Sequence, residues 1–424
     1  MNKSKKQVIP KLRFIDFKDD EKWDITTFGK LSIPVEERAG EASYTLMSVT
    51  SGVGLIPQTE KFGREIAGNS YKNYYVIQNG DFAYNKSATK LYPEGYIAML
   101  QGYDNAALPN SIFTCFRIVD KESYPQFFTH MFSSNYHGKW LRKYITVGAR
   151  ANGALSVDNK YLWIMPVAVP KFNEQQKIAD CLSSLNDLIN AEDKKLLAFK
   201  DHKKGLMQKL FPAERKPIPE WRFPEFRDSG EWEKKKLEQI GELVSGLTYS
   251  PDDIRGQGLL VLRSSNIKNN IISFEDNVYV RPDIKGANLS LTNDILICVR
   301  NGSKSLIGKN AIIPENMPLC THGTFMTVFR TKQAKFVFQL FQTNAYEKQV
   351  KADLGATINS INVTQLKKYM FFLPKEEKEQ QKIADCLTAL DVLITAQTKK
   401  IETLKIHKIA LTQGLFPSAQ EVFE

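Results

Sequence analysis

Nine residues, Glu174-Gln-Gln-Lys-Ile-Ala-Asp-Cys-Leu182, return unchanged as Glu379 to Leu387. The offset is 205 residues, and the correspondence runs without a gap to Leu210-Phe211-Pro212 and Leu415-Phe416-Pro417, with 23 of 39 aligned positions identical. A shorter repeat flanks it. Pro10-x-x-Arg13-Phe14-x-x-Phe17, with Asp19 and Trp23, returns as Pro219-x-x-Arg222-Phe223-x-x-Phe226, with Asp228 and Trp232. The chain is therefore two tandem units of roughly 205 to 210 residues, each with an aromatic lead, a middle and a terminal segment. The middles, 24–168 and 233–372, are only faintly alike. Repeated parts make a natural frame, and dissimilar parts a natural place for different specificities.

The terminal segments read as long helices. Apolar residues fall at Ile178, Leu182, Leu185, Ile189, Leu196, Phe199, Leu206 and Leu210, and again at Ile383, Leu387, Leu390, Ile394, Ile401, Leu404, Leu411 and Leu415. Steps of four and three alternate, with polar breaks at matching places: Glu192 and Lys203 in the first copy, Gln397 and Lys408 in the second. That is the 3.5-residue period of a coiled-coil seam. Pro170 and Pro374 stand before the helices, and Pro212 and Pro417 end them. From Asn173 to Leu210 such a helix runs about 55 Å at about 1.5 Å per residue. Its exposed seam needs a partner, either the helix's own domain or the other helix. Antiparallel pairing of the two helices gives a pseudo-twofold molecule with the unlike middles at opposite ends, and predicts a seam of Ile178, Leu182, Leu185, Ile189, Leu196 and Phe199 with Ile383, Leu387, Leu390, Ile394, Ile401 and Leu404.

A length of 424 residues suits two or three domains, and 42% hydrophobic content suits a globular protein. The net charge of +11 fits a polyanionic partner, of which nucleic acid is the commonest. The five cysteines are scattered and include no CxxC pair, which fits a reducing compartment. The basic N-terminus lacks the apolar stretch of a secretory signal. The longest apolar run, Tyr161 to Pro170, is half of the roughly 20 residues that span a bilayer. A cytoplasmic location is expected.

Both middles read as mixed α and β. Tyr44–Val49, Gly80–Tyr84 and Phe113–Arg117 look like strands in the first, as do Leu259–Arg263, Ile271–Phe274, Asp294–Arg300 and Phe325–Arg330 in the second. Gly80-Asp81 and Asn293-Asp294 each open a strand. Polar, basic loops follow, and their residue types suit DNA. Arg and Lys engage phosphates or the guanine edge, while Asn makes paired bonds to adenine. The candidates are Lys61, Arg64, Lys72, Asn85, Lys86, Ser87 and Lys90 in the first middle. In the second they are Arg263, Ser264, Ser265, Asn266, Lys268, Arg300, Asn301, Ser303, Lys304 and Lys309. Tyr71, Tyr74, Tyr75, Tyr92 and Tyr96 interleave with lysines, but tyrosines at strand spacing are more often half-buried packing. The stretches Gly148–Val157 and Gly355–Val363 agree in sense but not in spacing, and are read as turns feeding the helices.

Common catalytic motifs are missing. Gly302 to Asn310 resembles a phosphate loop, yet has five residues between its glycines instead of four, and Asn where a hydroxyl should hold magnesium. It reads as a turn and a strand start. There is no Asn-Pro-Pro-aromatic tetrapeptide and no GxGxxG; no catalytic residue or metal ligand is assigned.

Taken together, the paired Glu-Gln-Gln-Lys-Ile-Ala helices ending in Leu-Phe-Pro, the Pro-x-x-Arg-Phe-x-x-Phe…Trp leads and Leu262-Arg-Ser-Ser-Asn-Ile267 resemble the specificity subunits of Type I restriction-modification enzymes, over nearly the whole chain. The resemblance implies an α+β protein with two mixed α/β target recognition domains separated by two long helices. The implied segments are 1–168 (first recognition domain with its lead), 169–218 (first long helix), 219–372 (second recognition domain) and 373–424 (second long helix and tail). It implies a non-catalytic subunit that reads a bipartite, asymmetric double-stranded DNA site and recruits two methyltransferase subunits and the restriction motor-nuclease subunits. S-adenosylmethionine, ATP and magnesium are expected on those partners and no cofactor in this chain. A self-sufficient DNA-modifying or DNA-cleaving enzyme, and a coiled-coil scaffold without a DNA role, are the alternatives.

Overall fold

A computed structural model describes residues 6–67, 70–145, 155–214, 216–354 and 359–424. Parts of the two stretches read as turns, 148–154 and 355–358, lie outside the described residues. The chain divides into two compact units, residues 1–193 with 400–424 (unit 1) and 194–399 (unit 2). Four helices matter most: α1 (Pro125–Ser133), α2 (Phe172–Leu210), α3 (Ala334–Leu340) and α4 (Glu377–Leu415). The unit boundaries cut both long helices, so each unit holds the start of one and the end of the other.

In unit 1, strand Trp23–Thr27 lies between Gln7–Val8 and Pro166–Val169, the strand that leads into α2. A four-stranded antiparallel sheet follows, in the order Ser32–Pro34, Phe113–Ile118, Phe82–Asn85 and Tyr96–Met99. Unit 2 repeats the scheme. Glu233–Lys236 pairs with Met370–Leu373 ahead of α4, and a sheet runs Glu242–Ser245, Met326–Arg330, Ile295–Cys298 and Asn310–Ile312. Unit 2 also has a second four-stranded sheet, in which Leu259–Leu262 pairs in parallel with Cys320–His322. The fold is mixed α and β, and the strands read from the sequence occur with shifted ends: Met47–Thr50 for Tyr44–Val49, Ile271–Ile272 for Ile271–Phe274 and Ile295–Cys298 for Asp294–Arg300.

The aromatic lead and the long helices meet at equivalent bonds in each unit. In unit 1 the Arg13 guanidinium donates to both carboxylate oxygens of Glu174 at 2.8 and 2.7 Å, in the first turn of α2. In unit 2 Arg222 grips Glu379 in the first turn of α4, at 2.6 Å twice. The same leads hold the far ends of the other helices. Leu12 N donates to Gly414 O at 2.8 Å in unit 1, and Trp221 N to Lys209 O at 2.9 Å in unit 2. Those carbonyls belong to last turns, which lack partners within the helix. At Gly414 a Cβ would lie 2.4 Å from Leu12 Cδ1, so a side chain there would displace the Leu12 side chain.

Each unit packs its helix halves on an aromatic core. Ile178, Ala179 and Leu182 of α2 join Leu415 and Phe416 around Trp23, Phe127 and Phe128 in unit 1. Ile383, Ala384 and Leu387 of α4 join Leu210 and Phe211 around Trp232 and Phe336 in unit 2. Phe127 touches Trp23 and Phe416, as Phe336 touches Trp232 and Phe211. All twelve expected seam residues are at least half-buried: Ile178, Leu182, Ile189, Ile383, Leu387 and Ile401 fully, and Leu185, Leu196, Phe199, Leu390, Ile394 and Leu404 in part. No described helix is long and apolar enough to cross a membrane.

Two outcomes follow. Arg222 and Glu379 side chains are 7% and 1% exposed, so Arg222→Met strands a buried carboxylate and lowers stability by about 3–5 kcal/mol in urea unfolding. Removing both partners costs less than the two single losses combined. His137 is fully buried with its Nε2 3.3 Å from Gly95 O, and burial pushes its pKa down to about 4. The unfolded chain takes up that proton near pH 6.5 and the folded one only near pH 4, so stability is full above that window and falls as pH drops through it. Melting curves at stepped pH test this, and His137→Gln should flatten the decline.

Candidate nucleic-acid interface

The loops that carry the candidate residues spring from strands clamped alike in both units. Gly80 and Asn293 sit at φ +92° and +67°, turning the chain so that Asp81 and Asp294 open their strands. Asp81 accepts Arg117 Nε and Nη2, both at 2.7 Å, and Gln78 N at 2.7 Å. Asp294 accepts Arg330 at 2.9 and 2.8 Å, and Leu291 N at 2.8 Å. Both carboxylates are buried, and the Asp81 bond raises the Arg117 pKa, holding that guanidinium charged. The clamps fix the starts of the strands whose far ends release Asn85-Lys86-Ser87 and Arg300-Asn301.

In unit 1 two candidates, Asn85 and Lys61, meet at Val49 O. Asn85 Oδ1 accepts Ser87 N at 3.0 Å, and its amide reaches Val49 O at 3.5 Å. Lys61 Nζ turns back on the Met47–Thr50 hairpin strand, donating to Ser48 Oγ at 3.1 Å and Val49 O at 3.3 Å. Lys86 is half-buried, donating to Asn159 Oδ1 at 2.6 Å and Val157 O at 3.2 Å, and burial lowers its pKa. Arg64, Lys72 and Lys90 are exposed, with no side-chain ion pair among the described residues. The tyrosines are packing groups. Tyr71 meets Tyr74, Tyr92 meets Tyr96, and Arg38 stacks 4.1 Å from the Tyr75 ring.

In unit 2 the two candidate loops touch, Asn301 Nδ2 donating to Ser264 Oγ at 2.9 Å. Asn266 is fully buried. Its Oδ1 accepts Arg263 N at 2.9 Å, and its amide donates to Ser273 O at 2.9 Å, so it builds the loop from inside. Arg263 pairs with Asp276 at 2.8 Å and Lys268 with Glu275. Ser265 Oγ is buried without a hydrogen-bond partner among the described residues. Arg300 is exposed, 5.7 Å from the Phe325 ring centroid. Ser303 Oγ meets Ser305 Oγ at 2.9 Å, and Lys304 and Lys309 are exposed. The phosphate-loop lookalike is a 3-10 turn, Lys304–Leu306, followed by strand Asn310–Ile312.

Three contributors escaped the sequence reading. Asn159 positions Lys86 and Thr114, Phe325 backs Arg300, and the Asp–Arg clamps hold both strand ends. Only the clamps left a signal, the Gly-Asp and Asn-Asp strand openings. Backbone pairing completes each site. Leu155 N donates to Lys86 O at 2.8 Å, and Ile361 N to Val299 O at 2.7 Å. The arrangement presents cationic and amide side chains on braced loops, chemistry for binding a polyanion. Among the described residues no group of three His, Cys, Asp or Glu side chains is placed to hold a metal. Burial pushes the Cys298 and Cys320 thiols up to about 11, away from thiolate chemistry.

The model of the Type I restriction modification DNA specificity domain matches residues 229–405. The Type I restriction enzyme MjaVIII specificity subunit of Methanocaldococcus jannaschii is 26% identical over 284 residues, 64% of this chain and 66% of that protein. The EcoKI specificity subunit of Escherichia coli K12 is 26% identical over 140 residues, 31% of this chain and 30% of that one. The chain thus spans just under two thirds, or less, of these relatives. The fold resembles the crystal structure of a Type-I restriction-modification system S subunit from M. genitalium, with a TM-score of 0.61 at 14% identity, covering 97% of this chain and 100% of that one. A chain from a structure of type I R-M complex assembly gives 0.52 at 17% identity, covering 94% and 98%.

The clamps yield a direct expectation. Arg330→Met leaves the buried Asp294 carboxylate alone and should cost on the order of 3 kcal/mol in urea unfolding. Amides of the 299–304 loop should also exchange faster with solvent than in the parent chain.

Proposed function

We propose that the chain is a member of the Type I restriction-modification DNA specificity family, and the non-catalytic component through which a Type I complex reads a bipartite, asymmetric DNA site. The observation that carries this reading is one frame built twice around unlike loops. Arg13–Glu174 and Arg222–Glu379 hold the leads to the helices, and Asp81–Arg117 and Asp294–Arg330 clamp the loop-bearing strands. Beyond the clamps the chemistry differs. One unit presents Arg64, Lys72, Lys86 and Lys90, the other Arg300, Asn301, Lys304 and Lys309.

In this reading 1–168 and 219–372 are the two target recognition domains, and 169–218 and 373–424 the helical segments between them. The helices pair as an antiparallel coiled coil whose length sets the gap between half-sites. Ion pairs inside each unit support that register: Lys400–Glu192 at 2.5 Å and Lys405–Asp193 at 3.3 Å in unit 1, and Lys203–Asp391 at 2.6 Å in unit 2. Two recognition domains on one spacer gain affinity through effective concentration when the spacer matches the DNA. The duplicated frame gives two places, related by the repeat, for methyltransferase subunits, with the restriction subunits joining them. Adenine methylation with S-adenosylmethionine, and ATP-driven cleavage with magnesium, belong to those partners.

Adenine methylation mapped across the genome with and without this gene tests the reading. Loss of one split, asymmetric motif on deletion is expected, and an unchanged map overturns it. Inserting four residues near Asn190 lengthens the helix by about 6 Å at about 1.5 Å per residue. The gap should change while the half-site letters stay. Arg300→Ala should weaken DNA binding by the assembled complex and, if the contact is to a phosphate, lower the salt slope by about one.

A further inference from the structure

Each unit has a groove beside its long helices, of about 1050 Å³ in unit 2 and about 1260 Å³ in unit 1. The same repeat positions line both. Lys203, Met207 and Phe211 serve in unit 2, and Lys408, Thr412 and Phe416, each 205 residues later, in unit 1. Gln339 of α3 and His130 of α1 hold equivalent places, three residues after Phe336 and Phe127.

The polar centres of the two grooves are not equivalent. In unit 2 one oxygen of Asp391 accepts Lys203 Nζ at 2.6 Å, and the other accepts Gln339 Nε2 at 2.7 Å. The cation is compensated within the wall. In unit 1 the position matching Asp391 is Asn186, which is uncharged, and His130 Nε2 is engaged with Ser183 Oγ at 3.0 Å. Lys408 is half-buried, and burial lowers its pKa. Its ammonium makes no hydrogen bond or ion pair among the described residues. The other charged side chains lining this groove are Lys11, Lys139, the exposed Asp187, and Asp193 paired with Lys405 at 3.3 Å.

We propose that the groove of unit 1 receives a protein segment bearing a carboxylate that pairs with Lys408, whereas the groove of unit 2 supplies its own carboxylate, Asp391, and asks its occupant for none. The proposal rests on the reading that two copies of one methyltransferase subunit dock on the duplicated frame. Covering Lys408 without a counter-charge would bury an unpaired ammonium, which is strongly unfavourable. A carboxylate from the partner removes that penalty. Nucleic acid suits the groove less, since Asp187 and Asp193 stand on its wall and Ile189, Ile409 and Phe416 give it apolar surface. The two docked copies therefore differ in chemistry, and the copy on unit 1 is the more sensitive to salt.

The test is native mass spectrometry and titration of the full chain with a Type I methyltransferase subunit from the same host. The wild-type chain is expected to hold two copies. Lys408→Gln should weaken one copy by at least about tenfold and leave the other unchanged, while Lys408→Arg keeps both. Asn186→Asp, which gives Lys408 an internal partner without emptying the core, should weaken the same copy alone. If Lys408→Gln and Asn186→Asp bind both copies as tightly as the wild type, the Lys408 pairing is wrong and the two-copy reading stands. A wild-type chain that holds no methyltransferase subunit overturns that reading, and the pairing with it.

Discussion

A buried guanidinium held by both oxygens of one glutamate ties each unit together. Arg13 and Glu174 are 161 residues apart, and Arg222 and Glu379 are 157 apart, yet each pair joins a lead to the first turn of a long helix. Neither partner is tolerable alone at such burial, so the lead and the helix start must be kept as a pair. Further donors bind backbone carbonyls: Arg13 reaches Asp20 O and Glu21 O, and Arg222 reaches Gly230 O. A carboxylate in the first turn also meets the positive end of its helix. The arginine thereby closes the lead into a compact loop and seats it on the helix in one step. The neighbouring glutamine finishes the junction, since Gln175 and Gln380 each donate to the carbonyl of the proline that precedes the helix.

The lead has a second hold, on the closing turn of the other long helix, through Leu12 N to Gly414 O and Trp221 N to Lys209 O. Within a unit, the start of one helix and the end of the other are thus gripped by one short segment. The periodic apolar residues between those grips are at least half-buried, and two of the four polar breaks are met by charge. Glu192, 9% exposed, takes Lys400, and Lys203 takes Asp391. Polar groups in a seam cost stability and fix register, because a shifted helix would leave them unpaired.

Much of this was legible in the sequence. The repeat marked both frames, the period of 3.5 picked out helix positions that are at least half-buried, and the flanking prolines bounded helices that run Phe172–Leu210 and Glu377–Leu415. The bonding between repeated pieces was not legible. Both Arg13 and Glu174 stood out as repeated, but periodicity says nothing about which residue across 161 positions a side chain will meet. Loop residues were the hardest. Asn266 and Lys268 belong to one polar turn of the kind suited to DNA, yet Asn266 is sealed inside the turn while Lys268 lies outside and pairs with Glu275. Only the backbone path separates them. Asn159 had no signal, because its role depends on Lys86 arriving from a strand 73 residues earlier.

The placement of the clamps explains how one frame can carry two chemistries. Asp81–Arg117 and Asp294–Arg330 fix the entry of a central strand against its neighbour, at the end opposite the loop. The strand then delivers the loop from a set position, whatever residues the loop contains. Asn85-Lys86-Ser87 leans on a hairpin in one unit, and Arg300-Asn301 leans on a 3-10 turn, Ser264–Asn266, in the other. Changing a loop therefore disturbs its own brace and leaves the clamp, the lead and the helix junction intact. A protein built this way separates what must hold from what must recognise, so different surface chemistry in the two units demands no second frame.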